Sequence, residues 1–125
     1  MTSPAQDIGV EVYLMRYDRA PKTIDGDFAV IFDGREATVV SSAPARILEA
    51  QRTDRGIEGP FAAIRLEIRD SVGAGGFIAA ATGACADAGI GAYLLSTFSY
   101  DYLFVAPQRL GDALTALAGA SLPVE

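Results

Sequence analysis

Polar and aromatic side chains interrupt two apolar runs near the end of the chain, in the stretch LLSTFSYDYLFVAP that begins at Leu94. A carboxylate such as Asp101 can hold a cationic group by a charge-assisted hydrogen bond, and with Tyr100 or Tyr102 it could take part in proton transfer. The chain contains no histidine, which excludes Ser–His and Cys–His nucleophile pairs and imidazole acid–base chemistry. An enzyme that uses Asp101 and a tyrosine is therefore the weakest functional hypothesis. From spacing alone, the same residues also fit a hairpin turn with core or interface aromatics.

A glycine-rich segment, RDSVGAGG, ends at Gly76 and precedes a helical pattern. It is not a dinucleotide motif, because Ile78 stands where the third glycine of GxGxxG belongs, and it lacks the Gly-Lys-Ser/Thr ending of a P-loop. A loop that enters a helix presents backbone N–H groups and the positive end of the helix dipole, which suits a carboxylate or a phosphate. The alternative is that the glycines only permit a tight strand-to-helix turn.

Composition limits the possible partners and compartment. The 125 residues suffice for one compact domain or two intertwined repeats. A net charge of −6 with ten scattered Lys and Arg residues argues against nucleic acid. No run approaches the roughly 20 apolar residues that span a bilayer, and the start of the chain lacks a signal-peptide pattern, so we expect a cytoplasmic protein without membrane contact. The single cysteine, Cys85, excludes an intrachain disulfide and is expected to be buried and inert.

The first half contains short apolar runs separated by turn signals. The predicted elements are a strand over 8–16, a loop over 18–27, strands over 28–32 and 36–40, and a helix over 45–50. Asp33-Gly34 is a strong signal for a hairpin turn between the second and third strands. The helix is expected to turn Ile47 and Leu48 inward. The polar segment QRTDRGIEG, residues 51–59, is the best candidate for a joint between two halves.

The second half reads β-α-β-β-α. The predicted elements are a strand over 61–69, a helix over 77–88 that stops at Gly89, strands over 90–97 and 101–105, and a helix after Pro107. In the first of these strands the inward positions are Ala62, Ile64, Leu66 and Ile68. The first half looks like a degenerate copy of this unit. The pattern therefore predicts an α+β fold, with an antiparallel sheet covered by helices on one face and a division into 1–58 and 59–125.

The order of these motifs carries a family resemblance. The matching residues of the second half are Ala88, Gly89 and Ile90 at the helix end, then Ser96, Thr97, Phe98, Asp101 and Tyr102 in the hairpin. In the first half the matching residues are Glu36, Thr38, Val39 and Val40, and Gly76 fits a glycine at the helix entrance. The chain thus resembles the ACT domain, a ferredoxin-like β-α-β-β-α-β regulatory module, and more narrowly the CASTOR type of tandem ACT proteins.

The resemblance implies a non-enzymatic sensor that binds an amino acid or similar metabolite in a cleft between the repeats, without cofactor or metal. Asp101 would hold an ammonium or guanidinium group, and Thr97 and Phe98 would offer backbone groups. The remaining implied ligand-binding residues are Ser71, Val72, Gly73 and Gly76 around the carboxylate, and Thr38 and Val39 from the first repeat. A homodimer formed through sheet edges or helices is also expected.

Departures from the family pattern support a second hypothesis. Ile68-Arg69 replaces the usual Gly-Pro before the helix loop, Ser71-Val72 replaces an Asp-Phe pair, and Ser99-Tyr100 replaces Asp-Thr in the hairpin. An ACT scaffold that has lost its ligand and serves only protein–protein interaction would tolerate these changes. Binding of a small molecule would distinguish the two hypotheses.

Overall fold

The computed structural model describes residues 5–67 and 76–120. Its elements are β1 (Ala5–Tyr17), β2 (Asp27–Phe32), β3 (Ala37–Ser41), α1 (Pro44–Arg52), β4 (Ile57–Glu67), α2 (Phe77–Asp87), β5 (Tyr93–Ser96), β6 (Tyr100–Val105) and α3 (Leu110–Gly119), the last preceded by a 3-10 turn over Pro107–Arg109. The predicted α+β class is confirmed. So is the order of the elements, although β4 begins at Ile57 and β5 only at Tyr93.

The chain divides into two units. The N-terminal unit is Val10–Phe61, and the described residues of the C-terminal unit are 5–9, 62–67 and 76–120. The strand order is β2-β3-β1-β4 in the N-terminal unit and β1-β4-β6-β5 in the C-terminal unit. Two long strands, β1 and β4, contribute residues to both units, because the division cuts through each of them.

The N-terminal unit is built on the β2–β3 hairpin that the sequence predicts. Asp33 closes the turn, since its Oδ1 accepts the N–H groups of Arg35 (2.8 Å) and Glu36 (2.9 Å). Gly34 has a φ of +91°, a conformation that a glycine adopts without strain. The two strands then pair antiparallel from Phe32 and Ala37 onward. The DG signal therefore works through a carboxylate that satisfies two backbone donors.

Helix α1 packs on this sheet through a face that the sequence only partly predicts. Its inner stripe follows the i, i+3, i+4, i+7 spacing of Ala43, Arg46, Ile47 and Ala50. Leu48 lies off this stripe and is 53% exposed. The expectation that Leu48 turns inward was wrong, because Arg46 and not Leu48 lies on the helix face that packs on the sheet.

A buried ion pair joins α1 to the start of β2. The Arg46 Nε lies 2.6 Å from Asp27 Oδ1, and its Nη2 lies 2.7 Å from Asp27 Oδ2 and 2.7 Å from the Lys22 carbonyl oxygen. The side chains of Arg46 and Asp27 are only 7% and 1% exposed. The Arg46 guanidinium also lies 5.5 Å from the centroid of the Tyr17 ring. This cluster ties the irregular segment before β2 to the helix.

The other core residues of the N-terminal unit come from alternating positions of β1 and β3. Met15, Tyr17 and Val39 are buried on the side covered by α1, whereas Val10 is 39% exposed. Alternation predicted a strand at 8–16, and that strand is confirmed. Alternation placed Met15 on the face opposite the apolar residues Ile8 to Leu14, yet the structure buries Met15 under α1, because β1 contributes to two separate cores.

In the C-terminal unit, α2 and α3 cover one face of the sheet. Their inner residues pack on the alternating apolar side chains of β4 and β6. The buried members of this core are Ala5, Ala62, Ile64, Leu66, Phe77, Ala81, Cys85, Ile90, Leu103, Val105, Ala113 and Leu117. The inward positions Ala62, Ile64 and Leu66 are thus confirmed, and Ile68 lies outside the described residues. Burial raises the pKa of the Cys85 thiol, in line with the expected unreactive cysteine.

Helix α2 stops before Gly89, as predicted. This residue has a φ of +72°, and its N–H donates to the Ala86 carbonyl at 2.9 Å. The N–H of Ile90 donates to the Cys85 carbonyl, also at 2.9 Å. These bonds satisfy carbonyls of the last helical turn and turn the chain toward β5.

Candidate functional site

The β5–β6 hairpin carries the polar stretch singled out in the sequence. Thr97 closes its turn, because its N–H donates to the Tyr100 carbonyl (2.8 Å) and its Oγ1 accepts the N–H of Tyr100 (3.2 Å). The Thr97 N–H is thereby used within the turn. Phe98 lies at the tip with its side chain fully exposed. The hairpin therefore holds its shape without help from the aromatic ring at its tip.

Among the described residues of the C-terminal unit, the buried polar residue is Asp101, which is 6% exposed. It lies directly across from Leu66 on β4 and Ser96 on β5, so it shares the helix-covered face of the sheet. The Ser96 hydroxyl donates a short hydrogen bond to Asp101 Oδ1. A buried carboxylate is favourable only when hydrogen bonds or a cation compensate for lost hydration. Asp101 is thus suited to holding a cationic group at the end of this face.

The neighbouring tyrosines lie on the other side of the strand. Tyr100 and Tyr102 flank Asp101 in β6, so alternation directs their side chains away from the carboxylate. Their rings meet edge to face at 6.3 Å, and the Arg65 guanidinium lies 5.0 Å from the centroid of the Tyr100 ring. Strand geometry therefore directs the Tyr100 and Tyr102 side chains to the face opposite Asp101.

The helix end implicated by the resemblance lies at the start of α2. Gly76 is its N-cap residue, and its carbonyl accepts the N–H of Ala80 at 2.9 Å. No side chain caps this end. The implied residues Ser71, Val72 and Gly73 lie outside the described residues. Gly76, Thr97, Phe98 and Asp101 all belong to the C-terminal unit.

The implied residues of the first repeat lie on β3 of the N-terminal unit. The Val39 side chain is fully buried in the core under α1. Thr38 points to the opposite face, where it lies across from Arg16 on β1 and Ile31 on β2. It lines a pocket of about 390 Å³ whose other lining residues are Leu14, Met15, Arg16, Gly56, Ile57 and Glu58.

Sequence reasoning missed two polar clusters of the N-terminal unit. One is the Arg46–Asp27 ion pair, which joins residues 19 positions apart. The other consists of Arg16 and Glu58, two oppositely charged residues that line the pocket beside Thr38. Neither has a local motif, and each depends on the register of strands and helix. The alternation of β1 puts Arg16 on the same face as the apolar residues Val12 and Leu14, so it gives no signal for this pocket.

No group of three or more His, Cys, Asp or Glu side chains in residues 5–67 and 76–120 is placed to hold a metal ion. None of the helices in this part of the chain is long and apolar enough to cross a membrane.

Comparison with known proteins gives likeness in fold. No protein-family model and no curated protein matches the chain. Among solved structures, a protein from Agrobacterium tumefaciens is 20% identical, with 92% of this chain and 87% of that chain covered and a TM-score of 0.67. An allosteric aspartate kinase from Clostridium acetobutylicum is 7% identical, with 91% of this chain and 33% of that chain covered and a TM-score of 0.66. A protein described as a C-terminal regulatory domain of aspartate kinase from Porphyromonas gingivalis is 12% identical, with 90% of this chain and 91% of that chain covered and a TM-score of 0.55. The fold is ACT-like.

Proposed function

We propose that the chain is a non-enzymatic regulatory protein of the CASTOR-type tandem ACT class, which binds an amino acid or similar small metabolite. The observation that carries this proposal is the buried Asp101 carboxylate, held by Ser96 at the end of the helix-covered face. Its ligand would offer an ammonium or guanidinium group to Asp101. Fold alone does not imply function, so the Asp101 side chain is the basis of this proposal.

The structural neighbours support a regulatory role by analogy. Two of them are an allosteric aspartate kinase and a regulatory domain of aspartate kinase. The described elements of this chain would form one such regulatory module, and ligand binding would act by favouring one conformation or assembly over another. As parts of the same proposal, the protein is cytoplasmic and forms a homodimer.

A thermal-shift screen tests the proposal. The purified protein is heated with each of the twenty amino acids, beside Asp101→Asn, which keeps the shape of the side chain but removes its charge. A ligand present at about a hundred times its Kd adds about 2.7 kcal/mol to the free energy of unfolding, which raises the Tm by several degrees. We expect one amino acid to shift the wild type and not Asp101→Asn. Asp87→Asn, at an exposed position near the end of α2, is the matched control.

Exposed apolar side chains favour one rival function, a protein-interaction scaffold without ligand. Leu94 and Tyr93 on β5 are 43% and 45% exposed, and Phe98 projects from the adjoining turn. In the C-terminal unit β5 is the last strand in the order, so its outer edge can pair with another chain. The screen separates the two functions, because the scaffold predicts self-association without a shift by any amino acid.

A further inference from the structure

The strand β5 (Tyr93–Ser96) has one open edge in the C-terminal unit. It pairs with β6 on one side, and no other described strand of this unit lies on its second side. The Thr97 N–H donates across the hairpin to the Tyr100 carbonyl, and the backbone groups of an antiparallel strand alternate in direction along the chain. The N–H and C=O groups of Leu94 and Ser96 therefore point away from β6. They form an edge to which a further strand can be added.

The side chains at this edge are apolar on both faces of the sheet. Leu94 lies directly across from Leu103, which is buried in the core with α2 and α3, yet Leu94 itself is 43% exposed. Tyr93 lies across from Phe104 on the opposite face and is 45% exposed. The apolar surface of the sheet thus continues onto its edge strand and is left exposed there, as expected where another chain extends a sheet.

The segment around β5 lacks the features that usually prevent an edge strand from pairing. Between Asp87 and Asp101 the sequence contains no charged residue and no proline, although both are common on strand edges that stay in solvent. The strand β2, at the edge of the N-terminal unit, is different. It is flanked by the charged residues Asp27 and Asp33, and its register with β3 shifts next to Asp27.

Charge favours a second copy of the chain at this edge over a partner of opposite charge. The chain has a net charge of −6, so most contacts between two copies bring like charges together. The uncharged segment around β5 avoids this repulsion when it meets an identical segment. A basic partner would find no carboxylate to bind between Asp87 and Asp101.

We propose that two copies of the chain pair through their β5 strands, antiparallel, about a two-fold axis that passes between their Leu94 residues. The two Leu94 residues are then directly opposed and exchange backbone hydrogen bonds, and Tyr93 of each copy lies across from Leu95 of the other. Apolar cross-strand pairs of this kind stabilise a sheet. This inference names the surface of the homodimer, and it rests on that part of the proposed function.

Size-exclusion chromatography of the full chain with multi-angle light scattering tests the surface. We expect the wild type to have the mass of two chains. Leu94→Lys should raise the Kd of the dimer at least about a hundredfold, because two ammonium groups then face each other at the axis. Ile31→Lys, at an apolar residue of β2 that is 44% exposed, is the matched control and should leave the dimer intact. Far-ultraviolet circular dichroism and the Tm establish that each variant is folded.

Two further variants make the result independent of folding. Leu94→Glu alone should dissociate like Leu94→Lys, but an equimolar mixture of the two should have the mass of two chains, because the opposed charges then attract. In Leu94→Cys the two opposed Cα atoms are about 5.5 Å apart, which is within the range of a disulfide. Mild oxidation should link this variant and leave Ile31→Cys unlinked. Cys85 is buried and common to both variants.

The outcomes separate this surface from the proposed function. If the wild type is a dimer that Leu94→Lys does not weaken, the β5 surface is overturned and the homodimer stands through another surface. A monomeric wild type overturns both the surface and the homodimer, and leaves the edge to a different protein. Loss of the dimer in Leu94→Lys and its recovery in the mixture support the surface, whichever way the thermal-shift screen decides the amino-acid sensor.

Discussion

Removal of the charge on Asp27 tests the buried ion pair of the N-terminal unit. In Asp27→Asn the Arg46 guanidinium stays buried without its anion, and breaking such a pair costs about 3–5 kcal/mol. Domains of this kind are stable by only about 5–15 kcal/mol, so the loss is a large fraction of the total. We expect urea denaturation at pH 7 to show a reduction of this size.

The pH dependence gives a second and independent magnitude. The hydrogen bond from Arg46 is the main cause that lowers the pKa of Asp27 from its ordinary 3.8 to about 2. Because the folded-state pKa lies below the unfolded one, the pair stabilises the protein above about pH 4, and this contribution is lost as the pH falls toward 2. A difference of nearly two pKa units corresponds to about 2 kcal/mol. The gap between wild type and Asp27→Asn should therefore narrow by about 2 kcal/mol between pH 5 and pH 2.

Two further variants make the test discriminating. Asp18→Asn removes a carboxylate whose pair with Arg16 is exposed, and should cost at most about 1 kcal/mol. The double variant Asp27→Leu with Arg46→Met replaces the pair by apolar side chains and should recover most of the stability lost in Asp27→Asn. A cost below 1 kcal/mol for Asp27→Asn, or a pH profile parallel to that of the wild type, would refute this account of the ion pair.

Two other predictions concern backbone conformation and the core. Gly89→Ala should destabilise the protein by about 1 kcal/mol, because alanine is strained at a φ of +72°. Gly83→Ala lies inside α2 and should stabilise the protein by roughly 0.5–1 kcal/mol. The new Cβ meets open space at both positions, so the difference comes from backbone conformation. Equal effects of the two substitutions in thermal denaturation would contradict the predicted helix end. Leu66→Ala should cost about 2–5 kcal/mol, whereas Leu48→Ala should cost less than about 0.5 kcal/mol because Leu48 is exposed. A large cost for Leu48→Ala would mean that α1 packs through another face.

Elements with a local signal were predictable from the sequence. Asp33-Gly34 specifies its hairpin turn through bonds that reach only two or three residues, and Gly89 specifies the end of α2 in the same way. The alternation of Ala62, Ile64 and Leu66 identified the inner face of β4, because the helices of the C-terminal unit cover a single face. Short-range geometry and periodicity suffice for such features.

The candidate sites were predictable only in part. Asp101 could be singled out as a carboxylate among aromatic and hydroxyl residues, but only the β4–β6 register places it on the covered face beside Ser96. The presence of Arg16, Thr38 and Glu58 around one pocket has no sequence signal, because it arises from three neighbouring strands.

The sequence by itself determined where the strands, turns and helix ends lie, and which residue types could do chemistry. The tertiary structure decided which face of β1 is buried, that Arg46 replaces Leu48 under α1, and that two charged side chains share a pocket with Thr38. The physical reason is the range of the interactions. Turn chemistry and hydrophobic period act within a few residues, whereas burial and ion pairing join residues that only the register of strands and helices brings together.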